Sequence, residues 1–225
     1  MNNSPLIDLT ASAARFPPGP EPGDEFAAGG RRREPTATEK PAEWRLATFA
    51  GRFGEVSGDP AGASLTLVFR LVLEVQQLGE PVAWITRRQS TFFPPDAADA
   101  GIDLAALPVV RAADVLAAAR AAEYLLRSGA FGLVMMDLGA NAHLPLQAQA
   151  RLAAQARQHD TALICMTEKE GHRPSLGSLV SLRAHAAQTQ REAGWFRCEV
   201  CVLKDKRRGP GWTHAEVCRG PDGLR

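Results

Sequence analysis

The sequence predicts an α/β domain: a central, mostly parallel sheet, helices on both faces, and antiparallel strands on its C-terminal edge. Three observations predict it. Apolar runs of strand length alternate with segments of helical period from residue 53 to residue 167, the pattern of parallel strands joined by right-handed crossovers. Gly79 and Gly129 stop the two clearest helical segments, as a glycine after the last turn does. Beyond residue 178 the alternation ends, and three strand-like runs follow with little helix between them.

The elements follow in order. Residues 53–57 form a short strand ending at Gly58. Residues 65–78 place apolar side chains at 65, 67, 68, 71, 72, 75 and 78, close to helical period. Residues 81–86 are a buried-strand candidate, and 107–110 a shorter one. Residues 112–128, rich in Ala, Leu and Arg, form a helix. Residues 132–137 are a strand run ending in a carboxylate, 146–159 a helix, and 162–167 a strand. Residues 179–184, 195–203 and 212–218 are expected as antiparallel additions to one sheet edge.

Composition bounds the rest. The 225 residues are 45% hydrophobic and 23% charged, with 26 Lys+Arg against 25 Asp+Glu. A formal net charge of +1 excludes a polybasic nucleic-acid binder and leaves room only for a local patch. Residues 1–41 hold seven of the sixteen prolines and the triplet Arg31-Arg32-Arg33, so they are expected as a disordered tail before a core domain over 42–225. No run of 18 apolar residues and no secretory signal is visible, and four cysteines make no disulfide framework, so the cytoplasm is the expected compartment.

Between the first strand and the first helix lies Gly58-Asp59-Pro60-Ala61-Gly62-Ala63-Ser64. A phosphate-binding loop of pattern G-x-x-x-x-G-K-[ST] belongs at such a junction, where backbone N–H groups and a helix N-terminus cradle anionic oxygens. This stretch is one residue short. Ala63 stands where the lysine belongs, Pro60 lacks an N–H, and Asp59 adds negative charge. A charge-assisted hydrogen bond is worth roughly 1.5–3 kcal/mol, so losing the lysine costs about tenfold to a hundredfold in affinity. Ser64 keeps the Mg²⁺-binding hydroxyl, and Asp137 is placed as a second Mg²⁺ carboxylate. The bland alternative is a glycine-rich turn.

Residues 51–58 (Gly-Arg-Phe-Gly-Glu-Val-Ser-Gly) resemble the strand and loop that open the RecA-like recombinase core. Residues 133–137 resemble its second nucleotide motif, 161–168 its sensor strand, and 199–206 the late strand whose K-x-K faces a neighbouring subunit's nucleotide. The likeness spans about residues 51–219. Residues 100–111 and 125–134 are most similar to the ImuA family of bacterial mutagenesis cassettes. The resemblance implies a RecA-like P-loop core and a damage-induced role beside two polymerases. One is ImuB, a catalytically dead Y-family polymerase homologue; the other is an error-prone C-family polymerase.

The departures are as informative. Thr86-Arg87-Arg88 follows the strand where the family carries its catalytic glutamate, and an arginine cannot activate water as a carboxylate does. Glu168 replaces the glutamine that reads the γ-phosphate. The two DNA-binding loops are reduced to about 138–145 and 169–177, and the Pro-rich tail offers no filament-forming helix.

Cys198-x-x-Cys201 lies in one strand, where i and i+3 face opposite sides, so no metal site is expected. The histidines are scattered, with no serine or cysteine placed beside any of them. Lys204, Lys206, Arg207 and Arg208 form the basic cluster of the folded part, with the two lysines on one strand face. It reads equally as a phosphate-contacting surface or as a solvated edge.

These readings lead to the expectation of a non-catalytic, RecA-like accessory protein of error-prone translesion synthesis, without a cofactor of its own. It would bind an ImuB-like protein or the RecA recombinase. The alternatives are a divergent ATP-binding, Mg²⁺-dependent ATPase and a single-stranded DNA-binding module.

Overall fold

The computed structural model describes residues 43–58, 63–87, 92–192 and 195–219. The tail expected at 1–41, together with Asp59, Gly62 and Arg88, lies outside them. The chain opens with a single turn, α1 (Leu46–Phe49). It continues through β1 (Phe53–Gly58), α2 (Ala63–Gln77), β2 (Val82–Arg87), α3 (Pro94–Asp99), β3 (Val109–Ala112), α4 (Val115–Ser128), β4 (Leu133–Gly139), α5 (Leu146–Gln158), β5 (Ala162–Glu168), β6 (Leu182–Glu192), β7 (Trp195–Asp205) and β8 (Thr213–Arg219). One eight-stranded sheet results, in the order β3-β2-β4-β5-β1-β6-β7-β8.

Strands β4 and β5 are apolar toward both faces over most of their length, as strands covered by helices on each side must be, whereas β1 buries Glu55 and Ser57. Along β4, Leu133 and Met135 join α2 in one core; Val134 and Met136 join α4 and α5 in the other. In α2, Leu67, Val68, Leu71, Val72 and Val75 are fully buried, one helical stripe laid on the sheet. Each such side chain contributes about 1.5–3 kcal/mol by leaving water. Trp84 of β2 packs against Phe69 and Phe92 with ring centroids 5.6 and 5.1 Å away, tying the start of the α3 segment to α2. Asp114 caps α4 by accepting from Ala117 N at 2.7 Å. Gly129 ends it in the left-handed region, φ 67°.

One expectation is corrected. The strand after residue 178 is not an antiparallel addition: β6 pairs parallel with β1, Gly54 beside Leu182 and Gly58 beside Ala186. Leu179 and Val180 are not part of it. Residues 169–181 are a crossover that returns the chain to the amino end of β1, and it buries Leu176 and Val180 in the α4–α5 core. Such a return makes the next strand parallel. Antiparallel pairing begins only at β7 and continues to β8.

Candidate functional site at the carboxyl ends of the parallel strands

From β1 and β2 the chain continues on the α2 face, where Ala63, Phe92 and Ala97 are buried; from β4 and β5 it continues on the opposite face, where Leu144 and Leu176 are buried. Where the continuations of neighbouring strands part in this way, such sheets usually hold a ligand at their carboxyl ends. Here that happens twice, between β5 and β1 and between β2 and β4, so the two junctions flanking β4–β5 are the candidate crevice.

Several residues singled out in the sequence meet there. Gly58 pairs with Glu168 across β1 and β5. Ser64, in the first turn of α2, lies so close to Gly58 that an added Cβ would stand 3.3 Å from its hydroxyl and 2.8 Å from the Ala186 carbonyl. Asp137 is buried near the end of β4, and its Oδ2 accepts a hydrogen bond from Thr86 Oγ1 at 3.1 Å. Gly139 has φ 60°; an added Cβ would run into Nη2 of Arg87 and lie 3.5 Å from Oε1 of Glu168. The guanidinium of β2 and the carboxylate of β5 therefore converge above the end of β4. The Nε of Arg87 is buried without a hydrogen-bond partner among the described residues. A guanidinium stays protonated and has no acceptor, so Arg87 brings fixed positive charge and no general base. Ala63 brings no charge at all.

Lys204, Lys206, Arg207 and Arg208 stand at the other pole. Lys204 pairs with Arg183 and Asp205 with Leu182, level with Glu55 and Gly54. At 3.3 Å per residue, four residues along β1 separate that level from Gly58 by about 13 Å. Lys206 follows the end of β7 at Asp205 and so is not on its strand face, but each lysine Nζ donates to the Ser178 carbonyl, at 3.2 and 3.0 Å. Burial lowers the Lys204 pKa, and Lys206 and Arg183 lower it further, while Glu55 opposes them. Arg207 Nη2 donates to Ala50 O at 3.0 Å, and Arg208 is exposed.

Sequence reasoning missed Glu55. It is fully buried in β1, and five groups converge on its carboxylate, Arg183 Nε among them at 3.8 Å from Oε2. Thr167 Oγ1 donates to Oε1 at 3.0 Å, and Ser175 Oγ and Leu176 N donate to Oε2 at 2.9 and 2.8 Å. Lys169 Nζ lies 2.5 Å from Oε1. Arg183 Nη2 donates to the carbonyls of Glu170 and Gly171. The segment expected as a second DNA-binding loop is thus stapled to the sheet. The available signal was a carboxylate inside a run of buried residues, which demands partners.

The histidine expectation needs correction as well. The β1–β6 register sets Ser57 beside His185, with Oγ 3.5 Å from Nδ1. Both are buried, and Ser57 donates to the Ala184 carbonyl at 3.2 Å, so its proton is held by the backbone and its oxygen is closed to substrate. Cys198 is buried and Cys201 half-exposed, on opposite faces as expected. Among the described residues no group of His, Cys, Asp and Glu could hold a metal ion, and no helix is long and apolar enough to cross a membrane. No protein-family model matches the sequence, and no curated protein sequence matches it.

Proposed function

We propose that the chain is a non-catalytic, RecA-like accessory protein of damage-induced, error-prone translesion DNA synthesis. It acts by binding an ImuB-like Y-family polymerase homologue, the RecA recombinase, or both, and so reaches the C-family polymerase indirectly. The observation that carries this reading is the crevice. By the resemblance a nucleotide would sit at this strand–helix junction, yet Ala63 opens α2 without a lysine. Arg87 ends β2 near the place where a water-activating carboxylate is expected, and Glu168 stands where the γ-phosphate-reading glutamine is expected.

The test has two parts. A fluorescent ATP analogue with Mg²⁺ is titrated with and without single-stranded DNA, and no saturation is expected up to millimolar concentration. Purified ImuB homologue and recombinase are titrated in parallel, and micromolar binding to at least one is expected. Absence of binding to both overturns the adaptor reading.

A divergent ATPase is the second reading, favoured by the unpartnered Nε of Arg87 in the crevice. Of the cations that this reading puts in place of the lysine, Arg87, Arg88 or Lys204, Lys204 stands at the opposite pole of the same subunit. Saturable nucleotide binding, with phosphate release abolished by Asp137→Ala, would put this reading first. A single-stranded DNA-binding module using Lys204–Arg208 and the triplet at 31–33 predicts binding that weakens steeply with salt.

A further inference from the structure

The outer face of the α4–α5 pair carries a local excess of positive charge. Within their bounds the two helices hold Arg120, Arg127, Arg151 and Arg157 against one carboxylate, Glu123, in a protein whose formal net charge is only +1. All four arginines are exposed. Glu123 is already engaged by Arg151 at 2.9 Å.

The same face exposes apolar surface in a line. Leu116, Arg120, Tyr124 and Arg127 fall within an arc of about 80° on α4, over about 16 Å of helix. Tyr124 is 68% and Leu116 47% exposed, although neither serves the core. Arg127 lies over the Tyr124 ring, 5.1 Å from its centroid. Beside them Ala117 and Ala121 are half-exposed, and on α5 Ala150 and Ala154 are exposed; such small residues let a partner's backbone come close.

We propose that this face is the docking surface for an acidic, amphipathic helical segment of a protein partner, which would lie along α4 with an apolar anchor between Leu116 and Tyr124. Tyrosine and arginine are among the residues that carry protein interfaces. The excess positive charge selects an acidic partner. Nucleic acid fits less well, because Leu116 gives it nothing and Arg127 already covers one face of the ring. This inference rests on the adaptor reading and assigns it a surface.

The test compares the full chain with Tyr124→Ala/Arg127→Ala and Arg120→Glu/Arg151→Glu. All four positions are exposed, and the caps Asp114 and Gly129 are kept; circular dichroism and Tm check the fold. Three probes are used: the ImuB homologue or recombinase, a fluorescein-labelled 16-residue peptide with Glu and Leu at helical spacing, and a dT30 oligonucleotide. Both variants are expected to weaken peptide and partner binding at least tenfold while leaving dT30 unchanged. No peptide binding by the wild type, or equal binding by the variants, overturns the proposal. Loss of dT30 binding instead assigns the face to nucleic acid and also overturns it. If a partner binds wild type and variants alike, the surface fails and the adaptor reading stands. If no partner binds but the peptide behaves as expected, the adaptor reading fails and the surface stands.

Discussion

Arg52, at the threshold of β1, and Asp205, the last residue of β7, form a buried ion pair 2.6 Å long across 153 positions of sequence. Arg52 also donates to the carbonyls of Thr48 and Ser181, and Asp205 accepts from Trp212 Nε1 and Arg207 N. The pair closes the amino pole of the sheet, tying its centre to its antiparallel edge.

Removing one member strands the other charge in the core. Asp205→Ala is expected to cost about 3–5 kcal/mol and to lower Tm by roughly 10 °C. The double variant Arg52→Met/Asp205→Leu should recover much of that loss. Thermal melts of the three proteins check the ordering.

Acid should act through the same pair. Burial pushes the Asp205 carboxyl up, but Arg52, the Arg207 N–H and Trp212 outweigh it and hold it below its usual value. A carboxyl lowered in the folded state contributes stability above its unfolded pKa, about 4, and loses it as pH falls through the folded value. Urea midpoints of wild type and Asp205→Asn should therefore differ by a constant amount above about pH 5 and converge below pH 4.

Glu55→Ala should release the crossover that covers the sheet. Five groups lose their common partner, and Lys169 and Arg173 lie in the segment set free. Brief trypsin digestion is expected to cut there several times faster than in wild type, while the far-UV spectrum stays the same. Equal protection would mean that Leu176 and Val180 alone hold the segment.

Gly139→Ala meets two obstacles, the left-handed backbone and Nη2 of Arg87. It is expected to cost about 1–3 kcal/mol. Adding Arg87→Ala should return the part due to the clash and leave the backbone part. A double-mutant cycle measures the coupling.

Of the four thiols, only Cys201 is half-exposed; the other three are buried. Burial also raises the Cys201 pKa, so it should react with a disulfide reagent, but more slowly than a free thiol. One equivalent is expected in the native state, and none in Cys201→Ser.

Periodicity reported the elements well because it depends on near neighbours in the chain. The helix over 65–78 and the strands at Phe53, Val82, Leu133 and Ala162 lie within a few residues of their places. Half of the crevice was legible for a related reason. Gly58 and Ser64 sit on one strand–helix junction, and Asp137 at a strand end. The convergence of Arg87 and Glu168 was not, because it depends on which strands flank β4.

The sequence by itself determined the alternation of strands and helices, the glycine stops, the altered junction around Ala63 and the solvent-facing stripe of α4. These are short-range properties, fixed by side-chain volume, polarity and backbone preference. Tertiary structure decided the parallel direction of β6, the partners of Glu55, the meeting of Arg87 and Glu168 over Gly139, and the placing of Lys204–Arg208 at the far pole. Each depends on contacts between residues tens to more than a hundred positions apart. Strand order creates those contacts, and the packing of both sheet faces fixes that order.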